Sequence, residues 1–287
     1  MRNKAIPIPT SDVSFLTKVS YALGSTHLLP CIGTTSLTVI MALVAGQRAS
    51  IFVLIPAVLF GQFTVGWLND YLDRDRDRIA GRKDKPVAQG LISPNTILAL
   101  IIPSFVLSIG LGFTFGVAAG WVYVVAMVSA LLYDLYLKRT PLSILSLIVS
   151  FGLLPVFVAL GSPIARWPHV WMIVACALLG ATIHFLNVIP DFEDDKKTGV
   201  KGFVHYFSYN DALLIGALLL VVSVGSVLFG IYGEMQVLGW LLMGLFAAAC
   251  VWFFILFTRR DIQKAFRVSN ILTLLTVLVI LSAARFM

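Results

Sequence analysis

Long apolar runs are the feature of this chain that most restricts its fold. Of its 287 residues, 59% are hydrophobic and only 12% are charged, about half the usual charged share. The apolar residues are gathered in nine runs, each long enough to cross a hydrocarbon layer roughly 30 Å thick. These runs lack the alternation of a membrane barrel, and only helices or closed barrels satisfy backbone groups in lipid. The pattern predicts an all-α membrane protein, a nine-transmembrane-helix bundle with spans near residues 28–46, 50–67, 96–116, 119–137, 142–161, 169–189, 212–232, 237–257 and 268–286.

Basic residues are distributed unevenly among the segments that connect these runs. If the N-terminus and every second loop are placed on one side, that side holds 18 of the 21 Lys and Arg, and the other side holds only Arg48, Arg166 and Arg285. Lys and Arg accumulate on the cytoplasmic side of membrane proteins. We therefore expect a multi-pass cell-membrane protein whose N-terminus is cytoplasmic. The net charge of +7 then reflects topology and contact with anionic membrane lipids, and nucleic acid is not an expected partner.

Two short polar segments, 118 residues apart, share one pattern. The first motif (residues 68–81) and the second motif (residues 186–199) both read Leu-Asn-x3-Asp-x3-Asp-basic-x2-Gly, and each follows an apolar run. Nine of the 14 Asp and Glu residues lie in segments 70–84 and 191–195. By the charge distribution, both motifs face the cytoplasm.

The repeated pattern predicts an internal repeat within a single domain of residues 1–287. The two halves would cover approximately residues 28–141 and 142–258, and a ninth span at 268–286 would follow them. Because both motifs lie on the same side of the membrane, the repeat is parallel and not inverted. A parallel repeat allows the two motifs to face one cavity.

The first motif has the composition of a site for a hard cation. On a helix, residues four apart share a face, so Asn69, Asp73 and Asp77 are predicted to form one polar stripe with Asp70 beside it. A carboxylate in the middle of a bilayer costs roughly 2.5–3.5 kcal/mol, and a bound cation offsets this cost. Oxygen ligands favour Mg²⁺, which usually binds one or two carboxylates together with phosphate oxygens. The alternative is a solvated segment whose acids pair with its own arginines, Arg74, Arg76 and Arg78.

The second motif is less regular than the first. Pro190 lies inside it, and proline removes a helical hydrogen bond and kinks the chain. The one-face argument is therefore weaker for Asn187, Asp191 and Asp195. Which of the four acids at 191–195, namely Asp191, Glu193, Asp194 and Asp195, would bind metal stays open.

The residues of the two motifs resemble a known family. The string Asn69-Asp70-x2-Asp73-x3-Asp77, followed by Arg82, Lys85-Pro86 and Gly90, is similar to the first signature of the UbiA superfamily of intramembrane prenyltransferases, and Asp191-x3-Asp195 resembles its second signature. Length, span number and motif placement agree with the same superfamily. The fuller run of residues looks most like actinobacterial members.

The resemblance implies a Mg²⁺-dependent transfer of a prenyl group from a polyprenyl diphosphate to a small acceptor, aromatic or a quinone precursor, within the membrane. It implies the metal ligands Asn69, Asp70, Asp73, Asp77, Asp191 and Asp195. The residues expected to be catalytic are Asp73, Asp191 and Lys138. The expected substrate-binding residues are Arg82, Lys85, Arg139, Tyr133, Asn187 and His184. Family members often carry an arginine or lysine near the cytoplasmic end of the first span, where this chain offers only Lys18 and His27.

Several of these side chains have simpler explanations. Lys138 and Arg139 stand where basic residues extend from a span end toward the headgroups. Tyr133 stands where tyrosines of the membrane interface are common. His184 is also explained as a polar contact between packed helices.

Other functions stay open at this point. A transporter with a cytoplasmic acidic cation site and an intramembrane terpene cyclase of the same superfamily are the alternatives. Within prenyl transfer, the acceptor is open among hydroxybenzoate, dihydroxynaphthoate and lipid-like molecules.

Overall fold

The protein is described by a computed structural model that covers residues 14–47, 50–231 and 233–283. In this part of the chain the regular structure is entirely helical, as the apolar runs predict. Arg48 and Arg285, two of the three basic residues predicted on the non-cytoplasmic side, lie outside the described residues. The α-helices are α1 (Phe15–Gly24), α2 (Leu28–Val44), α3 (Ile51–Ile79), α4 (Pro94–Phe113), α5 (Val117–Leu135), α6 (Ser143–Leu160), α7 (Val170–Val188), α8 (Phe192–Thr198), α9 (Tyr209–Ile231), α10 (Val237–Thr258) and α11 (Ile262–Ala283).

Eight of these helices are long and apolar enough to cross a membrane by themselves. The pair α1 and α2 forms a ninth candidate span, which is bent by 70° at a short break. The prediction of a helical membrane protein is therefore confirmed, with eight candidate spans, or nine if the bent pair is one span. The start of α1 follows from local sequence: Ser14 is its N-cap, and the Ser14 side chain accepts a hydrogen bond from the Thr17 N–H.

The helices divide into two compact units. The first unit comprises the described residues up to Ser36 together with Val53–Leu111, and so contains α1, most of α3 and most of α4. Its helices are joined by hydroxyl groups that donate to carbonyl oxygens of α3, Ser104 to Phe60 at 2.8 Å and Ser108 to Ala57 at 2.7 Å. Such bonds between helices satisfy polar groups where water is absent. Its apolar core contains Trp67, Val87, Ile92 and Ile97.

The second unit comprises Leu37–Phe52 and the described residues from Gly112 onward. Helix α7 is the most buried of the candidate membrane helices in this unit. Hydroxyls of α9 and α7 connect these two helices: the Ser223 hydroxyl donates to the Ala175 carbonyl at 2.8 Å, and that of Thr182 to the Gly216 carbonyl at 3.3 Å. The second motif begins at the end of this well-packed helix.

Candidate active site

The first motif lies on the last turns of α3. This helix does not end with its apolar run but continues through the motif to Ile79. Asp70, Asp73 and Asp77 are all buried, whereas Asn69 is half-buried. Spacings of three and four residues alternate along one face of a helix with 3.6 residues per turn, so the buried stripe is Asp70-Asp73-Asp77. This corrects the prediction that Asn69, with Asp73 and Asp77, forms the stripe.

Arginines of α3 neutralise part of this stripe. Arg76 donates from Nη2 to Asp73 Oδ2 at 3.0 Å, and its Nε lies 3.8 Å from Asp77 Oδ1. Arg74 and Arg78 pair instead with Asp75, which is exposed. The predicted alternative, a solvated segment whose acids pair with its own arginines, thus describes Asp75, which is exposed and pairs with Arg74 and Arg78. It is wrong for Asp73, which pairs with Arg76 but is buried.

Asp70 is paired through a long-range contact. Lys85 Nζ donates to Asp70 Oδ1 at 2.6 Å, and both side chains are buried. Nε2 of His27 lies 2.7 Å from Lys85 Nζ and 3.1 Å from Asp70 Oδ1. The second oxygen of the carboxylate, Asp70 Oδ2, is buried and has no hydrogen-bond partner among the described residues. Burial of an oxygen without a hydrogen-bond partner costs free energy, so a ligand bound at Asp70 Oδ2 would stabilise the site.

The donor atoms of the first motif fit Mg²⁺. Within the described residues, no three His, Cys, Asp or Glu side chains are grouped closely enough to form a preassembled metal cage. Mg²⁺ does not require such a cage, because it keeps waters and uses one or two carboxylates plus substrate phosphates. Oδ2 of Asp70, which no described residue hydrogen-bonds, and the buried carboxylates on the same face supply oxygen ligands of that kind.

The loop after α3 carries two of the predicted substrate-binding residues, Lys85 and Arg82, and only Lys85 contacts the first motif. Lys85 reaches Asp70, as described above. Arg82 instead donates two hydrogen bonds to Asp84, at 3.0 Å and 2.9 Å. These bonds lower the pKa of Asp84 to about 2. Arg82 is therefore held at the loop surface by its own neighbour.

The second motif is divided by Pro190, as its sequence predicts. Helix α7 ends at Val188, a 3-10 turn spans Ile189–Asp191, and α8 follows. Asn187 is exposed, Asp191 is half-buried and Asp195 is buried. The three side chains therefore do not form a single helical stripe of the kind seen in α3.

Both motifs nevertheless end in the same backbone conformation. Gly81 and Gly199 have φ values of +71° and +78°, in the left-handed region that favours glycine. The residue after each glycine donates its N–H to the carbonyl of the motif's last aspartate, Arg82 to Asp77 at 3.0 Å and Val200 to Asp195 at 2.9 Å. The shared glycine of the pattern is thus a helix C-cap, and it fixes the backbone that carries the last aspartate.

A histidine that sequence reasoning missed contacts the second motif. His205 Nε2 lies 3.5 Å from Asp195 Oδ2, and both side chains are largely buried. The imidazole ring stacks on Phe192, with ring centroids 5.1 Å apart. His205 stands outside the repeated pattern, so nothing in the spacing of the motif pointed to it. His27 was considered only as a replacement for a family cation, and its contact with Lys85 depends on tertiary structure.

The other predicted site residues lie in the second unit, near the end of α5 and on α7. Lys138 is half-buried and Arg139 exposed in a 3-10 turn of residues 137–139. Tyr133 meets the His184 ring edge-on, with centroids 5.6 Å apart. His184 Nε2 lies 3.0 Å from the Ser143 hydroxyl, which also accepts the Phe203 N–H at 2.8 Å. These contacts agree with the helix-packing explanation for His184, and its predicted role in binding substrate stays a prediction.

Fold and motifs together define a class: a multi-pass helical membrane protein with two aspartate motifs at helix ends. The family model of the UbiA prenyltransferase family matches residues 31–279. The chain belongs to this family, and it is a prenyltransferase. This membership selects prenyl transfer over the transporter alternative.

Individual relatives and structures agree with the family. The chain is 29% identical to the 4-hydroxybenzoate octaprenyltransferase of Pseudomonas aeruginosa over 205 residues, which cover 70% of this chain and 68% of the relative. Its fold is similar to that of a digeranylgeranylglyceryl phosphate synthase, with a TM-score of 0.70, 18% identity and coverage of 94% and 98% of the two chains. A UbiA homologue from Archaeoglobus fulgidus bound to GPP and Mg²⁺ matches with a TM-score of 0.67, 17% identity and coverage of 92% and 99%.

Proposed function

We propose that this protein transfers a polyprenyl group from its diphosphate to a 4-hydroxybenzoate-like aromatic acceptor, with Mg²⁺ bound at the two aspartate motifs. The observation that carries the proposal is the buried stripe Asp70-Asp73-Asp77 at the end of a membrane-spanning helix, with one Asp70 oxygen that has no hydrogen-bond partner in the described part of the chain. The relative from Pseudomonas aeruginosa supports the aromatic acceptor. We further propose that both motifs and the N-terminus face the cytoplasm, on the grounds of the Lys and Arg distribution.

One Mg²⁺ would be held by Asn69, Asp70, Asp73 and Asp77 of the first motif, and another by Asp191 and Asp195 of the second. Mg²⁺ supplies charge neutralisation to a diphosphate leaving group when it is bound. Asp73 and Asp191 are the residues whose loss we expect to be most damaging.

Basic residues of the chain would bind the rest of the diphosphate charge. Lys85 already stands beside the first motif, and Lys138 and Arg139 are the candidates in the second unit. Arg82 would bind the diphosphate only after its hydrogen bonds to Asp84 break. Fixed positive groups aimed at a developing negative charge are commonly the largest contribution to catalysis.

The reaction breaks one bond and forms another. The C1–O bond of the prenyl donor breaks, and the diphosphate departs with the electron pair. A ring carbon of the acceptor then bonds to the allylic C1, and the ring loses a proton to regain its aromaticity. The apolar helices exclude water that would otherwise capture the allylic cation, and Tyr133 and Asn187 are proposed to line the substrate path with His184.

Product formation tests this proposal. Detergent-purified protein with MgCl₂, geranyl diphosphate and 4-hydroxybenzoate is expected to yield geranylated hydroxybenzoate, detected by mass spectrometry, and EDTA is expected to abolish it. A second reaction without acceptor separates prenyl transfer from the terpene cyclase alternative, because only a cyclase converts the donor into a hydrocarbon ring. Activity that persists undiminished in EDTA would contradict the metal role. Formation of a cyclic product alone would replace the proposal with cyclisation.

A further inference from the structure

The break between α1 and α2 is anchored beside the first motif. The indole N–H of Trp67 donates to the Ala22 carbonyl at 2.8 Å. The Thr26 carbonyl lies against Gly66 so closely that a Cβ at that position would collide with it. Gly66 and Trp67 directly precede the motif on α3. These two contacts fix the position of the break relative to the first motif, and both lie in the first unit.

His27 is the residue that this break presents to the motif. Its φ of 57° lies in the left-handed region, which is uncommon for a residue other than glycine. This conformation ends the linker between the two helices, and α2 begins at the next residue. The same contacts that hold the break thus hold the imidazole near Lys85 and Asp70.

The donor assignment in this cluster depends on the tautomer of His27. We assign the ring proton of His27 to Nδ1, so that Nε2 accepts at 2.7 Å from the Lys85 ammonium, which has three N–H donors and no acceptor. With this tautomer Lys85 donates to two acceptors, His27 Nε2 and Asp70 Oδ1. His27 Nε2 and Asp70 Oδ1 lie 3.1 Å apart.

We propose that His27 is a positioning residue for the diphosphate and metal site. It fixes the flexible Lys85 side chain on Oδ1 of Asp70, so that Oδ2 of Asp70 is left as the donor atom for Mg²⁺. A lysine stem has four rotatable carbons and gives no fixed direction by itself, so a second acceptor is what holds its ammonium in one place. The inference deepens the proposed function and rests on it for the identity of the ligand.

Two substitutions at this position separate positioning from folding. His27→Gly removes the acceptor, while glycine adopts a φ of 57° without steric cost. His27→Asn retains a polar acceptor, and asparagine also tolerates the left-handed region. His169→Gly is the matched control, because His169 is exposed and its backbone is the N-cap of α7, where glycine is accepted.

The first readout is binding of inorganic diphosphate with Mg²⁺ to the detergent-purified full chain, measured by calorimetry. Loss of a hydrogen bond to a charged group is expected to weaken binding about tenfold in His27→Gly. His27→Asn is expected to recover most of this loss, and His169→Gly is expected to bind like the unsubstituted protein. Equal binding by His27→Gly and the unsubstituted protein would overturn the inference, as would an equal loss in His169→Gly.

The second readout needs no ligand and so separates this inference from the proposed function. Reductive methylation of Lys85 in metal-free protein, followed by mass spectrometry, is expected to be about tenfold faster in His27→Gly, since the ammonium loses an acceptor of that strength. An unchanged rate overturns the inference. If the unsubstituted protein fails to bind Mg²⁺ and diphosphate, the proposed function fails, and the methylation rate still decides whether His27 holds Lys85.

Discussion

Individual carboxylates of the first motif are charge-balanced before any ligand arrives. Asp70 has Lys85, and Asp73 has Arg76. A buried unpaired charge costs several kcal/mol, so partners of this kind are required for the helix end to be stable without metal. The same pairing provides cations at the place where a diphosphate would bind. Charge balance at the residue scale therefore serves both folding and the proposed chemistry.

Asp84 offers a test of pairing at a single exposed residue. Its folded pKa of about 2 lies below the ordinary value of 3.8 because Arg82 donates to it. A depressed pKa contributes stability that is present above about pH 4 and is lost as pH falls toward about 2. We expect the Tm difference between the unsubstituted protein and Asp84→Asn to be small, because the pair is exposed.

The pH dependence of that difference is the informative quantity. Thermal unfolding in detergent between pH 6 and pH 2.5 is expected to show the difference shrinking below about pH 4. Asp211→Asn, an exposed acid at the start of α9, provides a comparison away from the loop. A Tm difference for Asp84→Asn that grows on acidification would contradict the pairing with Arg82.

At the scale of elements, the ends of helices carry the site. Gly81 follows the end of α3 and Gly199 follows the end of α8, and both glycines close the turn that carries a motif aspartate. The break between α1 and α2 brings His27 to α3, and the break at Pro190 brings Asp191 into a 3-10 turn. Helix interiors provide the apolar bundle, whereas helix ends and breaks carry the polar side chains of both motifs.

Replacement of the capping glycine tests this assignment. Gly199→Ala forces an L-residue into the left-handed region and is expected to destabilise the protein by about 1 kcal/mol. Gly225→Ala is the matched control, because Gly225 lies within α9 with no atom within 4 Å of an added Cβ. Alanine in a helix interior is expected to stabilise by about 0.5–1 kcal/mol. In thermal unfolding, Gly199→Ala is expected to lower Tm and Gly225→Ala to raise it. A lower Tm for Gly225→Ala with no decrease for Gly199→Ala would contradict the capping role of Gly199.

At the scale of the whole molecule, the sequence predicts what depends on composition and local pattern. The spans follow from apolar runs, and the division of the second motif follows from Pro190. Helix α3 continues through residues 68–79, and burial there places Asp70 on the stripe where the sequence predicts Asn69. That shift depends on packing, which periodicity alone does not supply.

Contacts between distant residues account for what the sequence did not predict. His27 is 58 positions from Lys85 in the chain, and the two meet where the Thr26 backbone packs on Gly66. His205 reaches Asp195 through a turn outside the repeated pattern. The parallel repeat of halves 28–141 and 142–258 stays a prediction, and the common capping of the two motifs supports it.

The central claim is that the buried aspartates of α3 bind the metal that activates the diphosphate. The most direct measurement compares Mg²⁺-dependent product formation in Asp73→Ala and Asp75→Ala. Both remove a carboxylate from the same turn, but Asp73 is buried on the stripe whereas Asp75 is 68% exposed on another face. We predict a loss of about 100-fold or more for Asp73→Ala, with Asp191→Ala behaving alike, and activity within about twofold of the unsubstituted protein for Asp75→Ala, since surface changes are usually small. Equal activity in Asp73→Ala and Asp75→Ala, with both proteins folded, would contradict the claim.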